Sequence, residues 1–479
     1  MRRFLFSDLT DNVNHIKSVI CDDLLTARFF SPPNSPKDNF CVIYLRNLVD
    51  NKIVNEGIVF PIMLFFQNRS SGEPLSEVLK EKIIVSSQIQ LTNLMDELFA
   101  GLLSGMTVLL LNNSTECLLI ETNLRDVRAP QEPDNEKVLR GPRESFVESL
   151  DFNIQLIRRR IVSTDLHLDY QVIGKDTKTR ICICYMQNLV SPDLVSIVKA
   201  RLARLNFDGI LDTNIINEQI KDARYSPFKT IGVTERPDVL AGKLLEGKVG
   251  IIAEGTPVAL SMPYLFIDNF YSPDDYYLNV YFASFGRILR MIGFVVSILT
   301  PALYIAISTH HWEIIPSPMA LTIAHSQQDI PLPTILECVV MLIIFELIRE
   351  TGLRTPIGIG QALSIVGAIV IGQAAVQARL VSSPMVIVIS LTAITGLINT
   401  KLKGLVIFAR IFFLLMAFLL GLFGIALGVL LLIAHIAGLK SFNVSYLANF
   451  WPLSRKNLQD HFIRFPKQNI HRQGEQEHG

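Results

Sequence analysis

What this chain lacks narrows its chemistry first. It carries no P-loop, no Gly-x-Ser-x-Gly elbow, no His-Glu-x-x-His helix and no zinc-spaced Cys/His cluster, so no catalytic, cofactor or metal-ligating residue is assigned and no enzyme class is expected. Net charge is missing too: 44 Lys/Arg balance 44 Asp/Glu, which leaves no basic excess for nucleic acid. The six cysteines, at 21, 41, 117, 182, 184 and 338, form no Cys-x-x-Cys. Cys182 and Cys184 stand i, i+2 on an apparent strand and share a face, which suits reduced core thiols better than metal ligands. The opening MRRFLFSDLTDN meets polar residues too early for a signal-peptide core, so the first portion is expected in the cytoplasm.

Charge is the next scarcity, and it is local. Up to about Arg290 charged residues are dense; from Met291 to Gly438 they are few, and Leu, Ile, Val, Ala, Phe and Gly dominate. The mean hydropathy of +0.36 comes mostly from that second part. Its apolar runs predict membrane spans near 288–308, 334–348, 361–378 and 384–399. A last run, 405–438, is about 34 residues long against the ~20 that one crossing needs. It reads either as one long tilted helix or as a hairpin near Gly421–Gly428. Lys and Arg set the orientation. Arg287 and Arg290 flank the first span on the soluble side, and the loop from His310 to Thr334 has neither residue, so it faces outward. Arg349, Arg354, Lys401 and Lys403 mark inner loops, and Arg379 runs against the pattern. The tail from Lys440 has six Lys/Arg against three acids, which favours an even number of crossings and so the hairpin.

The soluble portion reads as a duplication. NFCVIYLRNLVD (39–50) matches RICICYMQNLVS (180–191) at an offset of 141, and LLSGMTVLLLNNSTECLLI (102–120) matches LLEGKVGIIAEGTPVALSM (244–262) at 142. Each half alternates helices and strands, as α/β units do. The expected fold is therefore an α/β soluble amino-terminal region of two related subdomains, followed by an all-α polytopic membrane domain. The expected boundaries are 1–140, 141–286, 287–438 for five or six membrane helices, and 439–479 for a polar basic tail. The segment ESLDFNIQLIRRRIV reads as an amphipathic helix whose Arg158–Arg160 end meets either anionic lipid or the helix C-terminus.

Several longer blocks carry a resemblance. GPRESFVESLDFNIQLIRRR (141–160), TERPDVLAGKLLEGKV (234–249), SPDDYY (272–277), LTPALYIAISTHHWEIIP (299–316) and FELIRETGLRTPIGIGQALSIVGAIVIGQAAVQA (345–378) lie in one order. The chain closely resembles the A subunit of the GerA family of spore germination receptors, over about 100–400. Arg379 stands where a small residue is expected, and Trp312 follows a doubled His310-His311. The resemblance implies a multi-pass protein of the dormant spore's inner membrane, in contact with membrane lipid. It implies self-association and two partners, a permease-like B subunit and a lipoprotein C subunit. Nutrients would trigger release of ions and dipicolinate, with the A subunit forming an ion-conducting channel.

Three groups of residues are candidates for function. The third span is rich in small residues, and Ala362, Ser364, Val366, Gly367, Val370 and Gln373 either line a pore or gate or serve close helix packing. Glu337, Glu346, Arg349, Glu350 and Arg354 lie at or near membrane depth, as buried ion pairs or as a polar pathway. Arg143, Glu144, Thr234, Glu235, Arg236 and Asp238 sit at subdomain junctions. There they either contact a ligand or subunit or supply a helix cap at Thr234 and an Arg236–carboxylate clamp. His310 and His311 read as an interfacial anchor or a pH sensor. The functional alternatives are a channel or transducer, a small-molecule sensor using the cleft between the α/β halves, and a scaffold for the partner subunits.

Overall fold

The computed structural model describes residues 4–20, 24–31, 39–67, 78–84, 88–122, 132–133, 135–205, 207–354, 367 and 370–448. In the first α/β unit, α1 (Leu9–Val19) precedes β1 (Leu25–Phe30) and β2 (Phe40–Leu45). Then come α2 (residues 51–67, π-helical over Val54–Val59), β3 (Ile89–Thr92), α3 (Met95–Leu103), β4 (Met106–Leu111) and β5 (Cys117–Glu121). Every residue of β2 is apolar and buried. A strand apolar on both faces needs cover on both. Helices α1 and α3 pack on the face of Cys41, Ile43 and Leu45, while α2 packs on that of Phe40, Val42 and Tyr44.

The second unit repeats this plan. It contains α4 (Leu150–Arg158), β6 (Leu166–Ile173), β7 (Thr179–Met186), α5 (Pro192–Ala203) and α6 (Thr213–Ile220). It ends with β8 (Gly232–Thr234), α7 (Pro237–Leu245), β9 (Val249–Ala253) and β10 (Ala259–Met262). Helices α4 and α7 cover one face, where the buried Cys182 and Cys184 are core side chains; α5 and α6 cover the other.

The duplication extends to individual hydrogen-bonded pairs. Both sheets are antiparallel, with strand orders β1-β2-β4-β5-β3 and β6-β7-β9-β10-β8. Leu25 faces Leu45 as Leu166 faces Met186, and Leu118 faces Leu109 as Leu260 faces Ile251. Asn12 closes a loop by accepting from Phe6 N at 2.8 Å and donating to Phe6 O; Asn153 does the same with Val147 N, also at 2.8 Å, and Val147 O. The glycine of each Leu-Leu-x-Gly motif lies at positive φ after its helix, 87° for Gly105 and 80° for Gly247. That conformation is the usual helix-to-strand exit and excludes most side chains. Residues 135–140, assigned to the first subdomain on sequence, bond instead to the second: Asn135 Nδ2 donates to Glu235 Oε1 at 2.6 Å, and Glu136 Oε2 accepts from Thr234 Oγ1 at 2.5 Å.

The remaining helices are α8 (Val280–His310), α9 (Ser317–Gln327), α10 (Thr334–Arg354), a helical stretch at 370–377, α11 (Ser383–Ile398) and α12 (Lys403–Gly438). Among the described residues α8 and α12 are long and apolar enough to cross a membrane. Helix α8 packs along α11 and α12 through small and apolar residues at helical spacing, among them Gly293, Ser297, Ala302 and Ala306. Helix α12 reverses at Gly421 (φ 59°, ψ −139°), a backbone region open to glycine alone. A Cβ there would also collide with His311 at 2.6 Å, and one on Gly428 would meet the Phe413 ring at 2.9 Å. The run 405–438 is thus a hairpin with arms of about 17 residues, or ~25 Å each.

The segment from Leu439 departs from the expected polar tail. Lys440–Ser441 and Val444–Ser445 form a two-stranded hairpin, β11 and β12, turning at Phe442 and Asn443 with φ 48° and 69°. Two positive φ values in a two-residue loop suit the twist of a hairpin. Phe442 enters the core of the second unit, under the Arg201 guanidinium at 4.4 Å. Residue charge alone concealed this, because the apolar anchors Leu439, Phe442 and Tyr446 are spaced among polar residues.

Candidate functional site

The helices from α8 to α12 hold buried charge at two levels. Glu337, in the first turn of α10, is 1% exposed. It accepts from both the backbone N and the Oγ of Ser382, which precedes α11. Nine residues on, Glu346 pairs with Arg349 and also takes Arg410 Nη1 from α12 at 3.5 Å. Arg410 is 3% exposed and donates Nε to Ser297 O of α8 at 3.1 Å. One guanidinium thus links α8, α10 and α12. Burying a charge without a partner is costly, and Glu346 offsets part of that cost for both arginines, while Ser297 O takes up Arg410 Nε. Glu350 is exposed on the last turns of α10, and the side chain of Arg354 lies outside the described residues. Sequence reasoning missed Arg410; its signal was a single arginine inside an apolar run.

Of the candidate pore residues, Ala362, Ser364 and Val366 lie outside the described residues. Gly367 is helical and partly buried, Val370 is 56% exposed, and Gln373 is exposed on the 370–377 stretch. Arg379, the expected misfit, pairs with Asp329, close to the start of α10.

The junction residues fall into two sets. Arg236 is fully buried at the N-cap of α7, with Pro237 at the first helical position. Its guanidinium donates to Asp238 Oδ1 at 3.1 Å and Oδ2 at 2.8 Å, and to the carbonyls of Pro142 at 2.8 Å and Glu136 at 3.3 Å. Tyr277 Oη completes the cluster, donating to Asp238 Oδ2 at 2.6 Å; burial and that bond push its hydroxyl up to about 12. Thr234, expected to cap the helix, instead accepts the Arg236 amide at 3.1 Å. Glu235 holds Asn135, and its carbonyl accepts from Phe146 N at 2.8 Å. Arg143 makes an exposed pair with Glu132 at 2.9 Å, and Glu144 faces Arg159 and Arg160. These last arginines therefore meet a carboxylate at the C-terminus of α4.

Three sets of bonds tie the second unit to the helices that follow it. Asp275 accepts from Arg287 Nε at 3.0 Å and Arg290 Nη2 at 2.6 Å, fastening the first turns of α8 to the preceding loop. Arg290 Nε also donates to Phe270 O at 2.7 Å, and its carbonyl takes Asn399 Nδ2 at 2.6 Å. The terminal hairpin makes the third set. Ser441 Oγ donates to Thr230 O at 2.6 Å, Asp222 Oδ2 accepts from Phe442 N at 2.7 Å, and Tyr446 Oη donates to Lys229 O at 2.8 Å.

With this architecture in view, the comparisons decide the family. A family model described as Bacillus/Clostridium GerA spore germination protein matches residues 10–476. The chain belongs to the GerA family. It is 37% identical over 433 residues to Spore germination protein KA of Bacillus subtilis (strain 168), covering 89% of this chain and 79% of that one. It is 34% identical over 427 residues to the Uncharacterized membrane protein YfkQ of the same organism, covering 89% and 83%. Among solved structures it matches the N-terminal domain of the A subunit of the Bacillus megaterium spore germinant receptor GerK3, at 27% identity and a TM-score of 0.44, over 55% of this chain and 97% of that one. The resemblance found in the sequence blocks is thereby shown.

Proposed function

We propose that this GerA-family chain is the A subunit of a nutrient-responsive germination receptor in the spore inner membrane. In this reading its amino-terminal units are cytoplasmic, it works with a permease-like B subunit and a lipoprotein C subunit, and copies of it associate to form a gated ion path. The observation that carries the reading is the Arg410–Glu346–Arg349 cluster. Two cations, Arg349 on α10 and Arg410 on α12, compete for one carboxylate, and releasing one of them is the kind of two-state element that gating requires. Opening would withdraw Arg410 from Glu346 and leave Arg349 as its partner. The path would run along the third span, past Ala362, Ser364, Val366, Gly367, Val370 and Gln373.

The test is ion flux from liposomes holding the reconstituted receptor. Arg410→Gln removes the competing cation and should open the path without nutrient, raising basal flux at least ten-fold. Val370→Trp and Gln373→Trp should lower nutrient-triggered flux. Unchanged flux in all three variants, with the protein still correctly inserted, sinks the channel reading.

A further inference from the structure

Four lysines from four elements gather where the second unit meets the inner ends of the membrane helices. Lys229 precedes β8, Lys243 lies in the last turn of α7, Lys248 immediately precedes β9, and Lys401 lies in the turn between α11 and α12. They surround the loop 264–271. Lys248 Nζ sits 3.0 Å from Asp268 Oδ2 and 3.6 Å from Glu246. Lys243 Nζ reaches Ser261 Oγ at 3.3 Å and stands 4.7 Å over the Tyr264 ring. Lys401 Nζ donates to Tyr271 O at 2.8 Å.

The charges do not balance. Four carboxylates face the four lysines with Arg287 and Arg290, and each is engaged: Asp268 by Lys248 and Leu265 N, Glu246 by Lys248, Glu136 by Thr234 Oγ1 and Glu235 N, and Asp275 by Arg287 and Arg290. Among the described residues, Lys229, Lys243 and Lys401 form no ion pair with a carboxylate. Burial pushes Lys243 down to about 8, with Asp268 opposing and Lys248 and Lys401 adding to the fall. Burial lowers Lys401 and Lys229 as well, and Lys401 adds to the fall at Lys229. Asp268, despite burial, is held below the usual carboxylate range by Lys248 and Lys243.

The first unit gives the control. At the positions equivalent to Lys243, Ser261 and Lys248 it has Gly101, Leu119 and Met106, and Gly101 packs directly on the Leu119 side chain. The same backbone is satisfied there by an apolar contact. The polar, positively charged lining of the second unit is therefore an addition to the scaffold and not a requirement of it.

We propose that this seam binds a phosphate-bearing anion, with Lys243 and Lys401 as its principal ligands and Lys229 at its rim. A tetrahedral phosphate offers several acceptors to ammonium groups arriving from separate elements. It would supply the missing negative charge and hold Lys243 protonated. The seam lies at the inner ends of α8, α11 and α12, where a lipid headgroup and free phosphate are both within reach. This inference goes beyond conduction: it holds whether or not the helices form a pore.

Thermal unfolding of the full-length protein tests it, in nanodiscs of phosphatidylcholine alone, with added phosphatidylglycerol, or with inorganic phosphate replacing chloride at equal ionic strength. Wild type should gain several degrees, and Lys243→Met and Lys401→Met should lose that gain while Lys199→Met, away from the seam, keeps it. A gain with phosphatidylglycerol alone assigns the site to a headgroup; a gain with both assigns it to phosphate of either source. No gain in wild type, or the same gain in the seam variants, overturns the proposal. A second measurement needs no variant. Reductively 13C-methylated wild type should show the Lys243 resonance titrating near 8 without anion and at higher pH with it. A midpoint indifferent to phosphate and to phosphatidylglycerol counts equally against the site. The groups facing Lys243 in that titration are Asp268, Lys248, Lys401 and Glu246.

Discussion

The two α/β units share strand order, register and even their loop-closing asparagines, yet they carry different loads. The first keeps Leu94 before its last helix, where the second has Arg236. Gly101 and Met106 in the first stand where Lys243 and Lys248 stand in the second. The first unit's core is apolar on both faces of its sheet. The second buries Arg236, Asp268 and Asp275, receives the terminal hairpin, and connects directly into α8. One copy of the duplication has thus remained a plain scaffold, and the other has become the joint to the carboxy-terminal helices. Buried charge is an expensive way to hold a joint, but it specifies a single geometry wherever each charge is fully partnered.

Swapping the units' residues should break this asymmetry most strongly at Arg236. Arg236→Leu, which installs the first unit's residue, leaves Asp238 buried with Tyr277 alone and removes two bonds to carbonyls. We expect about 3–5 kcal/mol lost in denaturant unfolding of the second unit, with the first unit unmoved. A loss under about 1 kcal/mol would mean that the cluster is solvated and holds nothing together. The asparagines provide a smaller, symmetric test. Asn12→Ala and Asn153→Ala each leave one backbone N–H and one carbonyl without a partner, so each should cost its own unit about 1–3 kcal/mol. Unequal costs would show that the duplicated fold is not supported in the same way in both copies.

Much of this was legible from particular residues. Cys-x-x-Tyr-x-x-Asn-Leu-Val and Leu-Leu-x-Gly located both sheets, because positions on two-sided strands and glycines at positive φ tolerate few alternatives. The reversal of α12 at Gly421 was one of two readings that the length of its apolar run left open. The cap of α7 was misplaced at Thr234 although Pro237 marked the first helical position. Arg410 and the terminal hairpin escaped because their partners, Glu346, Ser297, Thr230 and Asp222, are distant in sequence. A lone charge or a single phenylalanine does not announce which remote element it will meet.

The central claim is that the terminal hairpin couples the second unit to α12, so that the two behave as one body. Hydrogen exchange of the full-length protein carrying Phe442→Ala tests it directly, since that change empties an anchor that is 1% exposed. Exchange should accelerate at residues 229–234, at 439–446 and along the carboxy-terminal turns of α12, with β1–β5 unchanged. Equal acceleration in both α/β units, or none at the end of α12, would contradict it.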